Sequence, residues 1–340
     1  MKILFIGGTG TISMAITKRL AKEGHELYLL NRGNRNEEVP ESVKIIKCDI
    51  SDEQAAAKAL EGMSFDCVGE FIGFVPEQVQ RDFRLFNGRT KQYIYISSAS
   101  AYQKPMKGYT ITEETPLDNP FWGYSRNKKA CEKYLMERYR TDGFPVTIVR
   151  PSHTYDERSV PLGVHGTKGS YQVVKRIKEG KPVLIHGDGT SLWTLTHSSD
   201  FAVAYTGLIG NPKAIGEAFH ITSDFSVPWN EIYDAIADTL GVMLDPVYIS
   251  SEMLNKMSHG KYDFVGSLTG DKANSVVFDN SKIKELVPEF EAKVTPREGI
   301  RAAIEYIMAH EELQIEDEDF DRFCDRAAEA VEDMEERFTW

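Results

Sequence analysis

Hydrophobic residues fall into short runs along the first half of the chain. The stretches between them switch to the three-and-four spacing of amphipathic helices. Ile3-Leu4-Phe5-Ile6 is the first run, and Met14-Ala15-Ile16-Thr17-Lys18-Arg19-Leu20-Ala21 reads as the helix that follows it. Glu26 to Leu30, Val43 to Cys48, Phe65 to Glu70, Gln92 to Ser98 and Val146 to Pro151 are further strands. Ser51-Asp52-Glu53 opens a helix with capping chemistry. Another helix leads on from Phe121-Trp122-Gly123-Tyr124 through Glu132 and Leu135. The run Tyr93-Ile94-Tyr95-Ile96 is β-branched or aromatic throughout, as suits a central parallel strand covered on both faces. Strands alternating with helices predict an α/β fold with a doubly wound, mostly parallel sheet over residues 1–155.

After about residue 155 the alternation loosens. Short strands are expected at Pro182–Ile185, Ala218–Thr222 and Val247–Ile249, and a helix at Trp229–Leu240. Trp193 to Asp200 leads into a helix through Ala202, Ala204 and Leu208. Residues 156–310 therefore form a smaller α/β lobe, from which some segments can rejoin the first domain. Residues 311–340 place Phe320, Phe323, Ala327, Val331, Met334 and Phe338 at helical spacing, which predicts a surface helix docked by one apolar stripe.

Gly7-Gly8-Thr9-Gly10-Thr11-Ile12-Ser13 lies between the first strand and the first helix. Glycines there let the backbone turn tightly and approach a pyrophosphate, and the free N–H groups of Thr11 and Ile12 at the helix start face the anion. This is the dinucleotide-binding arrangement of a Rossmann domain. Asn31 ends the second strand where an acidic residue would take the ribose 2′-hydroxyl of NAD, and Arg32 and Arg35 follow. A guanidinium suits a 2′-phosphate, so NADP is favoured over NAD.

Composition narrows the class. With 41% hydrophobic and 27% charged residues, the chain is an ordinary globular one. The net charge is −12, and residues 311–340 hold 13 acidic against 3 basic side chains, so the body is nearly neutral. Neither part has the basic footprint of a nucleic-acid binder. No apolar run approaches the roughly 18 residues that span a membrane. Met1 is followed directly by the first strand, which points to a cytoplasmic protein. Cys48, Cys67, Cys131 and Cys324 are scattered without metal-ligand spacing and read as inert thiols; no metal site is expected.

The chemistry gathers at three residues. Tyr124 and Lys128 are four apart at the start of a helix and share a face. A nearby ammonium favours the phenolate, so Lys128 is expected to lower the pKa of Tyr124 and fit it for proton transfer with a hydroxyl or carbonyl. Ser98 ends a parallel strand, where ligands of open α/β sheets sit, and can hydrogen-bond the same substrate oxygen.

Gly7-x-x-Gly10-x-x-Ser13, Ser97-Ser98-x-x-x-Tyr102, Tyr124-x-x-x-Lys128, Arg150-Pro151-x-x-x-Tyr155 and Gly187-Asp188-Gly189 with His197-x-x-Asp200-Phe201-Ala202 occur in this order. Together they resemble the extended short-chain dehydrogenases/reductases, the NAD-dependent epimerase/dehydratase family, over about residues 1–310. The resemblance implies a catalytic Ser98, Tyr124 and Lys128, with Lys128 also holding the nicotinamide ribose. It implies that Asp49-Ile50 contacts the adenine, and that Pro151, Ser152 and His153 lie near the nicotinamide carboxamide and the substrate cleft. The chain departs from the family in four places. Trp193 and Leu268 stand where sugar-nucleotide epimerases carry diphosphate-clamping arginines, and Ala99-Ser100 stands where dehydratases carry Asp-Glu. The loop Gly69–Phe74 lacks the family's His-Leu-Ala-Ala stretch. The expected function is an NAD(P)-dependent oxidoreductase acting on a hydroxyl or carbonyl of a sugar-like small molecule. A standard UDP-sugar and 4,6-dehydration are both disfavoured. The alternatives are an NADPH-dependent carbonyl reductase and a non-catalytic cofactor-sensing or RNA-associated protein. No membrane or nucleic-acid partner is expected, and a homodimer is compatible. His197 and His220 read as structural, and His153 as either a substrate contact or a packing residue.

Overall fold

The computed structural model describes residues 1–338. Its strands are β1 (Lys2–Ile6), β2 (Glu26–Asn31), β3 (Lys44–Lys47), β4 (Cys67–Glu70), β5 (Tyr93–Ile96), β6 (Val146–Pro151), β7 (His153–Tyr155), β8 (Val183–His186), β9 (Leu192–His197), β10 (Ala218–Ile221), β11 (Ser226–Pro228) and β12 (Pro246–Ile249). The helices are α1 (Thr11–Lys22), α2 (Glu53–Ala59), α3 (Pro76–Phe86), α4 (Gly123–Asp142), α5 (Tyr171–Lys178), α6 (Ser198–Leu208), α7 (Trp229–Leu240), α8 (Ser251–Ser258), α9 (Ser281–Leu286), α10 (Pro296–Ala309) and α11 (Glu318–Arg337).

Seven strands form one sheet in the order β10-β6-β5-β4-β1-β2-β3, and every pairing in it is parallel. The fold is thus the doubly wound α/β architecture. Residues of β1, β4, β5 and β6 are nearly all buried, because helices cover both faces. One face packs Ile3, Phe5 and Ile94 against α1 and α6, and the other packs Leu4, Val68 and Tyr93 against α3 and α4. Strand order reverses between β1 and β4. Ile6 pairs with Leu30 on one side and Glu70 on the other, so a crevice opens beyond these carboxyl ends.

The later residues divide between two bodies. β10, α6 and α9 return to the main sheet, with Phe201, Tyr205, Phe219 and Ile283 in its core. β7, β9 and β11 form a second sheet, β8 and β12 a third, and these with α5, α7, α10 and α11 enclose a separate apolar core around Trp193, Trp229 and Tyr233. The segment expected only to lead into a helix is itself the strand β9, with α6 starting at Ser198. Among the described residues no helix is long and apolar enough to cross a membrane.

The acidic end is helical over Glu318–Arg337 and docks by the first half of its stripe. Phe320, Cys324 and Ala327 are buried, whereas Met334 is 63% exposed. Arg176, fully buried on α5, holds Asp321 and Asp325, each at 2.7 Å. All four cysteines are free, and burial pushes the Cys324 thiol up to about 12.

Candidate active site

The turn after β1 builds the first part of the site. Gly7 and Gly8 have φ of +99° and +92°, a region that side chains rarely enter. A Cβ on Gly8 would also lie 2.5 Å from Leu29 Cδ2. Gly10 precedes α1, and its N–H donates to Ser13 Oγ at 2.9 Å, while Thr17 Oγ1 donates to Gly8 O at 2.9 Å. Ser13 is therefore more than a small residue: it ties the turn to the helix. The first turn of α1 holds no acidic side chain, so its open N–H groups meet no competing anion.

A cavity of about 860 Å³ opens there. Gly7, Gly10, Thr11, Ile12, Asn31, Arg32, Asp49 and Ile50 all line it, with Arg35, Ser51 and Arg81. Asn31 Oδ1 accepts from Gly33 N at 2.8 Å and its Nδ2 donates to Asn36 Oδ1 at 3.0 Å, so this side chain shapes the loop carrying Arg32 and Arg35. Among the described residues neither arginine has an ion-pair partner. The Asp49 carboxylate accepts from the hydroxyl (2.7 Å) and N–H (2.9 Å) of Ser51, which hold it below the usual range. The glycine cradle, the open helix start and the free guanidinium groups fit a dinucleotide phosphate. Lys128, Pro151 and His153 are not among this cavity's walls. Pro151 is buried at the end of β6, paired with Ile221.

Ser98, Tyr124 and Lys128 come together beyond the end of β5. Ser98 follows that strand, and Tyr124 and Lys128 lie on the first turns of α4. Ser98 stands near enough to Tyr124 for its hydroxyl to favour the phenolate. Lys128 is 1% exposed, and its Nζ donates to Gly73 O and Ile96 O, both at 2.7 Å. It lies 5.6 Å from the Tyr124 ring centroid and about as close to Phe74 and Tyr95. The loop Gly69–Phe74 thus supplies a carbonyl to Lys128.

The expected acidity of Tyr124 is corrected here. Its phenol is pushed up to about 12, first by burial and then by the Asp271 carboxylate, against the favourable bond from Ser98. Burial is the largest cause, and it also lowers the Lys128 ammonium, which donates to two backbone carbonyls, to about 8.

The pairing that holds this geometry is not evident in the sequence. Arg150 on β6 pairs with Glu132 of α4 at 2.7 Å, both nearly buried. Glu132 Oε1 also accepts from Ser97 Oγ at 2.5 Å. This network fixes α4, and so Tyr124 and Lys128, against β5 and β6. His220 bonds Tyr102 OH at 3.2 Å and Asp279 O at 2.7 Å, and His197 bonds Ser199 at 2.7 Å, both in structural settings. Glu70, at the end of β4, is a fully buried carboxyl raised well above its ordinary value by burial and by Asp82.

The second lobe comes close to Tyr124 through Asp271. Trp193 Nε1 donates to His153 Nδ1 at 3.1 Å, and burial lowers this imidazole to about 3. The segment Val265–Lys272 is a π-helix, a form frequent at functional sites. Its Asp271 is pushed up to about 6 and its Lys272 down to about 8, both by burial. Trp193 and Leu268 are 2% and 0% exposed, each packed in the lobe's core.

Residues 3–222 match the model of the NAD dependent epimerase/dehydratase family. A 2'-dehydrokanamycin reductase from Streptomyces kanamyceticus is 21% identical, over 89% of this chain and 84% of that protein. The chloroplast stem-loop binding protein of 41 kDa b from Arabidopsis thaliana is 29% identical, over 71% of this chain and 63% of that protein. Among solved structures, a UDP-glucuronic acid 4-epimerase from Bacillus cereus, in complex with UDP-glucuronic acid and NAD, superposes with a TM-score of 0.71. It is 19% identical and covers 91% of this chain and 99% of its own.

Proposed function

The chain belongs to the NAD dependent epimerase/dehydratase family, and from that premise we propose that it is an NAD(P)-dependent oxidoreductase interconverting a hydroxyl and a carbonyl on a sugar-like small molecule. Ser98, Tyr124 and Lys128 are its catalytic residues in this reading. The observation that carries it is the meeting of Ser98 and Tyr124 at the end of β5, with Lys128 one turn further along α4.

A nicotinamide cofactor, when bound, supplies the two-electron redox step. The chain's own residues supply position and the proton. With its phenol up at about 12, Tyr124 is protonated at neutral pH and ready to give its proton to a carbonyl oxygen. In the oxidative direction the tyrosine oxygen takes the proton back. The Ser98 hydroxyl steadies the substrate oxygen as charge develops there. Lys128, held by Gly73 O and Ile96 O, keeps a cation beside the Tyr124 ring. Arg32 and Arg35, with no carboxylate at Asn31, support NADP over NAD.

The substrate reading rests on what the cleft lacks. Trp193 and Leu268 are committed to the core, so neither position offers a guanidinium to a diphosphate. This argues against a standard UDP-sugar. Ala99-Ser100 offers no carboxyl for 4,6-dehydration.

A second reading follows from the Arabidopsis relative, named for stem-loop binding. The net charge of −12 argues against it. One experiment separates the two. The protein is mixed with NADPH and a panel of keto sugars and sugar nucleotides, and loss of reduced-cofactor absorbance is followed. In parallel it is titrated with a stem-loop RNA at rising salt. Turnover without salt-resistant RNA binding is expected, and salt-resistant RNA binding without any turnover would overturn the proposal.

A further inference from the structure

Behind Ser98 lies a row of buried polar groups to which the catalytic reading gives no role. Asn119 is 3% exposed. Its Nδ2 faces two carbonyl oxygens, Ser100 O at 2.7 Å and Gly270 O at 2.6 Å, while its Oδ1 accepts from Phe121 N at 3.1 Å. Those partners fix which end of the amide is nitrogen. Both Nδ2 protons are thus taken by carbonyls, and a nitrogen without an accepting lone pair gives the Ser125 hydroxyl, 3.3 Å away, nothing to donate to. Ser125, fully buried, sends its own proton to Ser100 Oγ at 2.8 Å. Ser100 then has its proton free for Ser98 Oγ, at 2.9 Å. Ser98 also accepts from Ser100 N, at 3.2 Å. A hydroxyl has one proton and two lone pairs. Both lone pairs of Ser98 are taken from behind, so its proton points onward to Tyr124 and the cleft.

We infer that Asn119, Ser125 and Ser100 are positioning residues that polarise a hydroxyl chain in one direction and so hold Ser98 as a donor to the reacting oxygen. The inference rests on the reading of Ser98 and Tyr124 as the pair that handles the proton. A fixed donor stabilises negative charge on that oxygen without reorganising at the moment of reaction. A chain polarised the other way would make Ser98 an acceptor and favour the neutral phenol. The remaining groups that face Tyr124 are the Asp271 carboxylate and the Cys131 thiol, which oppose the phenolate, and the Lys128 ammonium beside its ring. Ser98 is thus the hydroxyl on which stabilisation of the phenolate depends. Neither Ser100 nor Ser125 stands out in the sequence, and Asn119 lies in a loop with no local signal.

The test needs no substrate. The protein is labelled with fluorotyrosine, whose phenol is more acidic than that of tyrosine. The Tyr124 resonance is assigned by Tyr124→Phe, and its ionisation is followed by fluorine NMR. Ser98→Ala and Ser100→Ala should each raise the apparent pKa by about one unit, a tenfold change in the ionisation constant, as expected for one lost hydrogen bond to a charged oxygen. Ser100→Thr keeps the hydroxyl and should restore the wild-type value. Thermal melting checks that each variant folds, and Ser125→Ala serves where Ser100→Ala does not. A shift in Ser98→Ala with none in Ser100→Ala or Ser125→Ala would overturn the chain alone. No shift in Ser98→Ala would remove the Ser98–Tyr124 pair and the inference with it.

Discussion

Lys128 and Tyr124 show what spacing alone leaves open. Spacing in the sequence correctly puts Tyr124 and Lys128 on one helical face, but it cannot say where Nζ points. It points at Gly73 O and Ile96 O, and burial keeps Tyr124 a weak acid. Burial lowers the Lys128 ammonium from the ordinary 10.5 to about 8. Between those values the unfolded chain holds the proton more tightly, so this group's contribution to stability rises with pH across about 8 to 10.5. Thermal melts of wild type and Lys128→Met should therefore diverge in favour of wild type over that window. Lys128→Met should also weaken cofactor binding. The glycine turn was legible because a strand, Gly7, Gly10 and a helix must follow one another locally. The free guanidinium groups of Arg32 and Arg35 were legible only as residue types. NADPH should bind more tightly than NADH in a fluorescence titration, and Arg32→Ala should lose most of the difference. Tighter NADH binding, unchanged in Arg32→Ala, would reject that preference.

At the scale of elements, the strands buried on both faces were the easiest to read: β5 is β-branched or aromatic throughout, and β6 carries Val146, Ile148 and Val149 before its closing proline. β9 was not, because its Thr194 and Thr196 break the apolar run while being buried and bonded across to neighbouring segments. The strand β10 was legible as a strand but not as an edge of the main sheet, since pairing between Phe219 and Val149 is a long-range fact that a short run does not encode. The contact that sets α4 is equally non-local: Glu132 and Arg150 are 18 residues apart in sequence and come from a helix and a strand. Glu132→Leu leaves the Arg150 guanidinium buried without its partner, and should cost about 3–5 kcal/mol in a denaturant titration. A double variant that also replaces Arg150 with Met should recover much of that loss. A loss in the single variant below about 1 kcal/mol would show that the pair does not hold α4 in place.

Over the whole molecule, the parallel sheet supplies the phosphate-facing cavity and Ser98, and the second lobe brings the Asp271 carboxylate to bear on Tyr124. The acidic helix α11 belongs to that second lobe through Phe320, Cys324 and Ala327. Its charge was plain in the sequence, but how far the stripe docks was not, because spacing is the same for buried Phe320 and exposed Met334. Phe320→Ala should cost roughly 3–5 kcal/mol, whereas Met334→Ala should stay within about 0.5 kcal/mol of wild type, both read from denaturant midpoints. The central claim is that Tyr124 transfers the proton in an NAD(P)-dependent reaction. Its most direct measurement compares steady-state turnover of wild type and Tyr124→Phe on the first carbonyl compound found to consume NADPH, with cofactor affinity and melting temperature measured on the same samples. Phe keeps the ring and its packing, so cofactor binding and stability should be retained while turnover falls by about 10²–10⁴-fold. Near-wild-type turnover in a folded, cofactor-binding Tyr124→Phe protein would contradict that claim.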